Sequence, residues 1–236
     1  TRIFSASAIA LIASLSAANA ATEIQWWHAM GGELGAKLEE IAKNFNESQT
    51  DYVIKPSYKG NYVETMTAAI AAFRAKQQPA IVQVFEVGTG TMIAAKGAVY
   101  PVYQLMADQG EPFDPAAYLP AVAGYYTDTE GNMLSMPFNS STPLLYYNKT
   151  AFEEAGITKV PTNFDEIYEA AAKLRVMNAD GSVKRYGFGM GNYGWFFEQW
   201  QGKMAKHYVD NNNGRGADPA TKVVFDESGG AAAVFN

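Results

Sequence analysis

The chain has no cysteine, which excludes disulfides, thiolate metal sites and cysteine nucleophiles. It leaves the compartment open, because reducing and oxidising spaces both tolerate Cys-free chains. Histidine is nearly absent too, with two residues, His28 and His207, far apart in the sequence. There is no Gly-x-Ser-x-Gly elbow and no His-Glu-x-x-His, so a serine hydrolase and a zinc protease both lack their usual parts. Positive charge is scarce: 18 Lys and Arg stand against 24 Asp and Glu, a formal net charge of -6. That is no electrostatic footprint for nucleic acid. Gly88-Thr-Gly90 at a strand-to-helix turn lacks the third glycine and the lysine of a phosphate loop, and Lys96-Gly97 stands in the wrong order and place. Asp128-Thr-Glu130-Gly-Asn132 lacks the remaining ligands of a calcium loop and suits a hairpin turn. Past the N-terminus no apolar run approaches the roughly 20 residues that a membrane helix needs.

What is present is a globular composition: 236 residues, 48% hydrophobic, 13% aromatic and 18% charged. At about 150 residues per domain that allows one large or two small domains with a real core, and no disordered tail. At the N-terminus, Arg2 precedes an apolar stretch from Ile3 to Leu15 and then Ser16-Ala-Ala-Asn-Ala20. This reads as a secretory signal with an A-x-A site, cleaved after Ala20, whose apolar part is too short to span a bilayer of about 30 Å. Residues 1–20 are therefore set aside from the fold, and an exported, soluble, acidic product is expected. At the other end, Lys222 to Phe225 reads as a strand and Ala231 to Phe235 as the first turns of a helix capped by Asp or Ser. So short a helix with nothing to pack on is not stable alone, so the chain is expected to be the front portion of a longer protein.

Between these ends the pattern alternates. Glu23 to His28 is β-leaning, and Gly31-Gly32 leads to a helix with Leu34, Leu38, Ile41, Ala42 and Phe45 on one face. Tyr52 to Tyr58 is a second strand, followed by a helix from Tyr62 that carries Met66, Ile70 and Phe73 and stops before Pro79. Ala80 to Phe85 is a continuous apolar run, expected of a strand buried on both faces, with a short helix after Gly88-Thr-Gly90. Such βαβ alternation predicts an α/β fold with a mostly parallel sheet, in which ligands bind beyond the carboxyl ends of the strands. Those ends lie near Trp27-His28, Lys59 to Tyr62, and Glu86 to Thr91. From Gly124 the pattern changes to a hairpin (Tyr125-Tyr126, a Thr127 to Asn132 turn, Met133 to Phe138) and a strand from Leu144 to Tyr147. A helix from Thr150 to Ala155 follows, then one capped by Thr162 with Asp165 three residues on and Phe164, Ile167, Ala171 and Leu174 as its stripe. Tyr186 to Met190 reads as a strand, Trp195 opens a helix with Phe196, Trp200 and Met204 inward, and Asp210 to Thr221 is a loop.

At the expected strand ends stand polar and aromatic side chains suited to binding: Tyr62, Glu86, Ser140, Ser141 and Trp195, with Asn61 and Trp27 nearby. A carboxylate accepts from vicinal hydroxyls, Tyr and Ser hydroxyls donate to an anion, and an indole covers an apolar or cationic group. On spacing alone Tyr62 and Trp195 fit a core equally well, and Ser141 a turn. His28 reads as a structural or cleft-lining hydrogen bonder before a general base.

Longer words in the sequence are more specific: Trp27-His-Ala-Met-Gly-Gly-Glu-Leu-Gly35, Tyr58-Lys-Gly-Asn-Tyr62, Ala71-Ala-Phe-Arg74, Gln83-Val-Phe-Glu-Val-Gly-Thr89, Pro137-Phe-Asn-Ser-Ser-Thr-Pro143 and Leu145-Tyr-Tyr-Asn-Lys149. Together they resemble the sn-glycerol-3-phosphate branch of the maltose-binding-like solute receptors that serve bacterial ABC importers. The match runs from the signal site to about Leu174 and then loosens. The resemblance implies a two-lobed periplasmic binding protein fold (type II), incomplete at the C-terminus, with a first lobe over 21–130, a crossover over 131–147 and the start of a second lobe over 148–236. It implies no enzyme activity, no cofactor and no metal, a monomer, and as partners the membrane permeases with their cytoplasmic ATPase. By position, Tyr62 and Ser141 would bond the phosphate, Glu86 the glycerol hydroxyls, and Trp195 would line the cleft, with Ser140, Asn61 and Trp27 as further candidates. A companion tryptophan three residues before Trp195 is Asn192 here, with Tyr193 adjacent, which favours glycerol-3-phosphate over glycerophosphocholine. The rivals are an oligosaccharide receptor of the same class and, remotely, a secreted hydrolase using Ser140 or Ser141 with His28.

Overall fold

A computed structural model describes residues 20–95, 97–191 and 194–235. Nearly all of the signal read over residues 1–20 lies outside the described residues, as do Lys96, Asn192 and Tyr193. The chain divides into two compact units, one running to Ala98 and one from Val99, a division that falls inside the segment 21–130.

The first unit is built on β1 (Thr22–His28), with β2 (Tyr52–Tyr58) on one side and β3 (Ile81–Val82) on the other, in the order β2-β1-β3. Both pairings are parallel, and β1 and β2 are in register from Thr22 beside Tyr52 to His28 beside Tyr58. Parallel neighbours need a crossover, supplied here by α1 (Gly32–Ser48) and α2 (Tyr62–Arg74). The buried stripe of α1 is narrower than its sequence pattern: Leu38 is 1% exposed and Ala42 is buried, but Leu34 is 66% exposed and Ile41 and Phe45 also face out. α2 opens on a capping box in which the Glu64 N–H donates to Asn61 Oδ1 (3.0 Å) and the Asn61 N–H to Glu64 Oε2 (2.7 Å). It stops at Arg74, where Lys76 at φ +56° turns the chain, well before Pro79.

The run Ala80 to Phe85 is not a strand buried on both faces. Only Ile81 and Val82 pair, at an edge, and Ile81 is 42% exposed. The run is apolar because Phe85, like the polar Gln83, turns inward beyond the ladder. The next helix, α3 (Glu86–Ala94), begins at Glu86 rather than after the glycines.

The second unit holds shorter elements: α4 (Val102–Gln109), closed by Gly110 at φ +69°, a 3₁₀ turn (Pro115–Ala117), and α5 (Pro120–Tyr125). The expected hairpin narrows to one antiparallel bridge between Thr127 and Met133, its turn organised by Asp128 Oδ1, which accepts from the N–H groups of Glu130 and Asn132. α6 (Lys149–Glu154) and α7 (Phe164–Leu174) form the core with Ala151, Phe152, Ala170 and Leu174 buried together. The cap of α7 is Asn163, one residue later than expected, because Asn163 Oδ1 reaches the Glu166 N–H while Thr162 donates to the Glu166 carboxylate instead. β4 (Val176–Met177) and β5 (Val183–Arg185) make a two-stranded antiparallel ladder. α8 (Gly194–Lys203) follows, then α9 (Asp210–Gly214), where Asn211, Asn212 and Asn213 all have positive φ, and α10 (Gly230–Phe235).

Three sequence-read strands of this unit are not strands. Leu144 to Tyr147 carries no regular structure, with Tyr146 87% exposed, Tyr186 to Met190 lies past the end of β5, and Lys222 to Phe225 keeps one bridge, Val209 to Val223. A strand needs a hydrogen-bonded neighbour, and these runs find no further ladder among the described residues. The C-terminal helix, expected to have nothing to pack on, lies against α8, where Gly230 abuts the buried Gln201.

Candidate functional site

Parallel strands in register end together, so the first unit brings the β1–α1, β2–α2 and β3–α3 connections to one end of its sheet. Four of the nominated residues lie there. Tyr62 and Glu86 are the first residues of α2 and α3, both half-buried, and the Tyr62 ring stacks on Phe85, the residue before Glu86, at 5.4 Å between centroids. Trp27, half-buried on β1, carries the Lys59 ammonium over its ring at 4.3 Å. Asn61 has its side-chain oxygen committed to the cap of α2.

Backbone and side-chain bonds tie the three connections together. The Lys59 N–H donates to the His28 carbonyl (2.9 Å) and the Gln83 N–H to the Trp27 carbonyl (2.9 Å). The Ala29 N–H donates to Gln83 Oε1 (3.0 Å), and Thr65 Oγ1 donates to the His28 carbonyl (3.4 Å). The His28 imidazole, 2% exposed, accepts the Met30 N–H at Nδ1 (3.3 Å). Burial, opposed by the charge of Glu39, pushes its pKa below the ordinary histidine value. A neutral, buried ring bonded to its own turn matches the reading of His28 as a structural hydrogen bonder.

The second unit holds the other nominated residues. Ser140 and Ser141 are exposed in the irregular segment before α6. Trp195 is 6% exposed in the first turn of α8, edge-on to Phe196 at 5.2 Å, so its indole is in the core of this unit. Beside the segment from Pro143 to Tyr147 runs a groove of 520 Å³, lined mainly by apolar groups such as Phe152, Phe164, Phe196 and Trp200, with Asn148 and Arg185 among its polar atoms. None of the nominated residues lines it.

Sequence reasoning missed the part played by Gln83, Phe85 and Lys59. The available signal was Gln83 itself, a polar residue inside an otherwise apolar run. Among the described residues no three His, Asp or Glu cluster to hold a metal ion, and no helix is long and apolar enough to cross a membrane. The chemistry at the sheet end is that of binding: hydroxyl, carboxylate, aromatic faces and one ammonium held by a fixed frame.

Comparison with known proteins adds three findings. The profile of the family described as bacterial extracellular solute-binding protein matches residues 31–235. The chain is 51% identical over 164 residues to the sn-glycerol-3-phosphate-binding periplasmic protein UgpB of Rhizobium meliloti, covering 69% of this chain and 38% of that one. It is 49% identical over 214 residues to UgpB of Yersinia pestis, covering 87% and 47%. The matched stretch thus spans less than half the length of these curated relatives. Among solved structures it resembles CpMnBP1 with mannotriose bound (TM-score 0.56, 19% identity, 71% of this chain and 41% of that one). It also resembles the cyclic alpha-maltosyl-1,6-maltose binding protein from Arthrobacter globiformis (TM-score 0.54, 21% identity, 82% and 49%). At such identities the likeness carries the fold alone, and the α/β, maltose-binding-like class read from the sequence holds.

Proposed function

The chain belongs to the bacterial extracellular solute-binding proteins, and from that premise we propose that it is part of a periplasmic receptor that captures sn-glycerol-3-phosphate and delivers it to the permeases of an ABC importer. The observation that carries this reading is the identity of about half with relatives named for that ligand. The first unit supports it chemically. Tyr62 offers a hydroxyl to the phosphate, Glu86 a carboxylate to the glycerol hydroxyls, and Lys59 a cation at the same sheet end. Ser141 completes the phosphate contacts, with glycerophosphodiesters as secondary ligands, whereas Trp195, packed in the core of its unit, supports the site from behind. Ser140, Asn61 and Trp27 frame the site. The receptor is exported after cleavage behind Ala20, works as a monomer in two lobes split near residues 131–147, and binds and releases without chemical turnover.

The test is calorimetry on the full-length mature receptor. Glycerol-3-phosphate should bind and maltose-type sugars should not; the reverse result replaces this reading with an oligosaccharide receptor. Turnover of a phosphodiester by the purified protein would make it a hydrolase. Glu86→Ala should weaken glycerol-3-phosphate by about 2 kcal/mol or more, because the ligand hydroxyls stay buried and unpaired. Unchanged affinity removes Glu86 from the site.

A further inference from the structure

His28 sits where the three connections of the candidate site meet. Its carbonyl accepts from Lys59 and Thr65, which hold the β2–α2 connection with Tyr62. Its ring holds the Met30 N–H, and the neighbouring Ala29 N–H is held by Gln83, three residues before Glu86. Because Nδ1 accepts, the proton of the neutral ring is on Nε2, which is buried and has no hydrogen-bond partner. Water does not reach the ring, so any change in its charge is felt by the protein around it.

We propose that His28 is a positioning residue of this site and makes ligand capture pH-sensitive: the neutral ring pins the β1–α1 turn through Met30, and protonation of Nδ1 releases it. An imidazolium has an N–H on both nitrogens, so Nδ1 would meet the Met30 N–H donor to donor while a charge is forced into the core. The turn has to shift, and it is tied through Ala29 and Gln83 to the connection that carries Glu86. The groups facing the ring from the packed elements are few. α1 presents Glu39 and β2 the Tyr58 ring at 6.0 Å, while the uncharged Thr65 of α2 bonds the His28 carbonyl; Trp26 lies edge-on at 6.3 Å, and the Lys59 ammonium is over Trp27. Glu39 favours the charged ring, but burial outweighs it. The folded ring therefore takes its proton at lower pH than the unfolded one. The stability tied to the neutral ring is whole above about pH 6.5 and is lost as pH falls through the folded value.

This inference rests on the binding reading above, and its test separates the two. Glycerol-3-phosphate affinity of the full-length receptor is measured from about pH 7.5 to about pH 5 for wild type and His28→Asn, each relative to its own value at the upper pH. The asparagine oxygen accepts the Met30 N–H and cannot titrate. Protonation of the ligand phosphate, near pH 6, is common to both proteins and cancels in the comparison. The wild type should lose about tenfold more affinity than the variant across the range; parallel profiles overturn the proposal. A second arm needs no ligand: the Met30 amide should lose hydrogen-exchange protection in acid in the wild type and keep it in His28→Asn. Equal protection in both overturns the proposal even if no ligand binds, whereas absent binding together with the expected exchange pattern overturns only the receptor reading.

Discussion

The two units obey the same local rules and reach different outcomes. Up to Ala98, two full strand-like runs found a partner within a few dozen residues, and three strands share one sheet. From Val99 on, Leu144 to Tyr147, Tyr186 to Met190 and Lys222 to Phe225 have strand-like composition, yet the described residues offer them at most a bridge. Apolar β-leaning residues create a demand for pairing, and only a neighbour at the right distance can meet it. In this unit the unmet demand appears as exposed Leu144, Tyr146 and Tyr186 around a 520 Å³ groove.

Three measurements on the full-length protein would break or sharpen this contrast. The largest effect is expected at Gly187, whose added Cβ would stand 1.8 Å from the Ala171 carbonyl oxygen. Gly187→Ala should cost about 4 kcal/mol in urea unfolding, with hydrogen exchange accelerated from Val99 onward and not before it. A loss under about 1 kcal/mol would mean that Tyr186 to Met190 is not pressed against α7 and is free to be the strand its sequence suggests. In the first unit, Leu38→Ala should cost about 3 kcal/mol and Leu34→Ala only a few tenths. Equal losses would show that the outer face of α1 is covered in the full-length protein, which would erase part of the difference between the units. The smallest effect concerns Glu166, held down to about 2 by Lys159 and then by the Thr162 N–H and hydroxyl. Its contribution is present above the ordinary carboxylate value and is lost as pH falls through about 2. A carboxyl NMR titration should find it there and should find it raised in Lys159→Ala; an unmoved value would remove the Lys159 contact at 2.5 Å.

How much was legible in the sequence follows the same division. β1, α1, β2 and α2 could be read because alternation and helical spacing are local signals and their partners are close in the chain. β3 was over-read because burial and pairing leave the same apolar mark, and Phe85 is buried without being paired. The cap of α7 slipped by one residue because Thr162 and Asn163 are both competent caps and Glu166 accepts from one while donating to the other. At the site, Tyr62 and Glu86 are named from the expected strand ends and given roles by the resemblance, and the structure gives each a fixed address at the start of a helix. The frame beneath them was not legible: the bond from Ala29 to Gln83 spans 54 residues, a distance at which no periodic pattern speaks.

Pro56 lies in the middle of β2, beside Trp26, on a strand that has one neighbour among the described residues. Proline has no N–H to offer an incoming strand, and Lys55 next to it carries a charge along the same edge. That flank of the sheet therefore offers a stray β-contact no N–H at this point and a charge beside it.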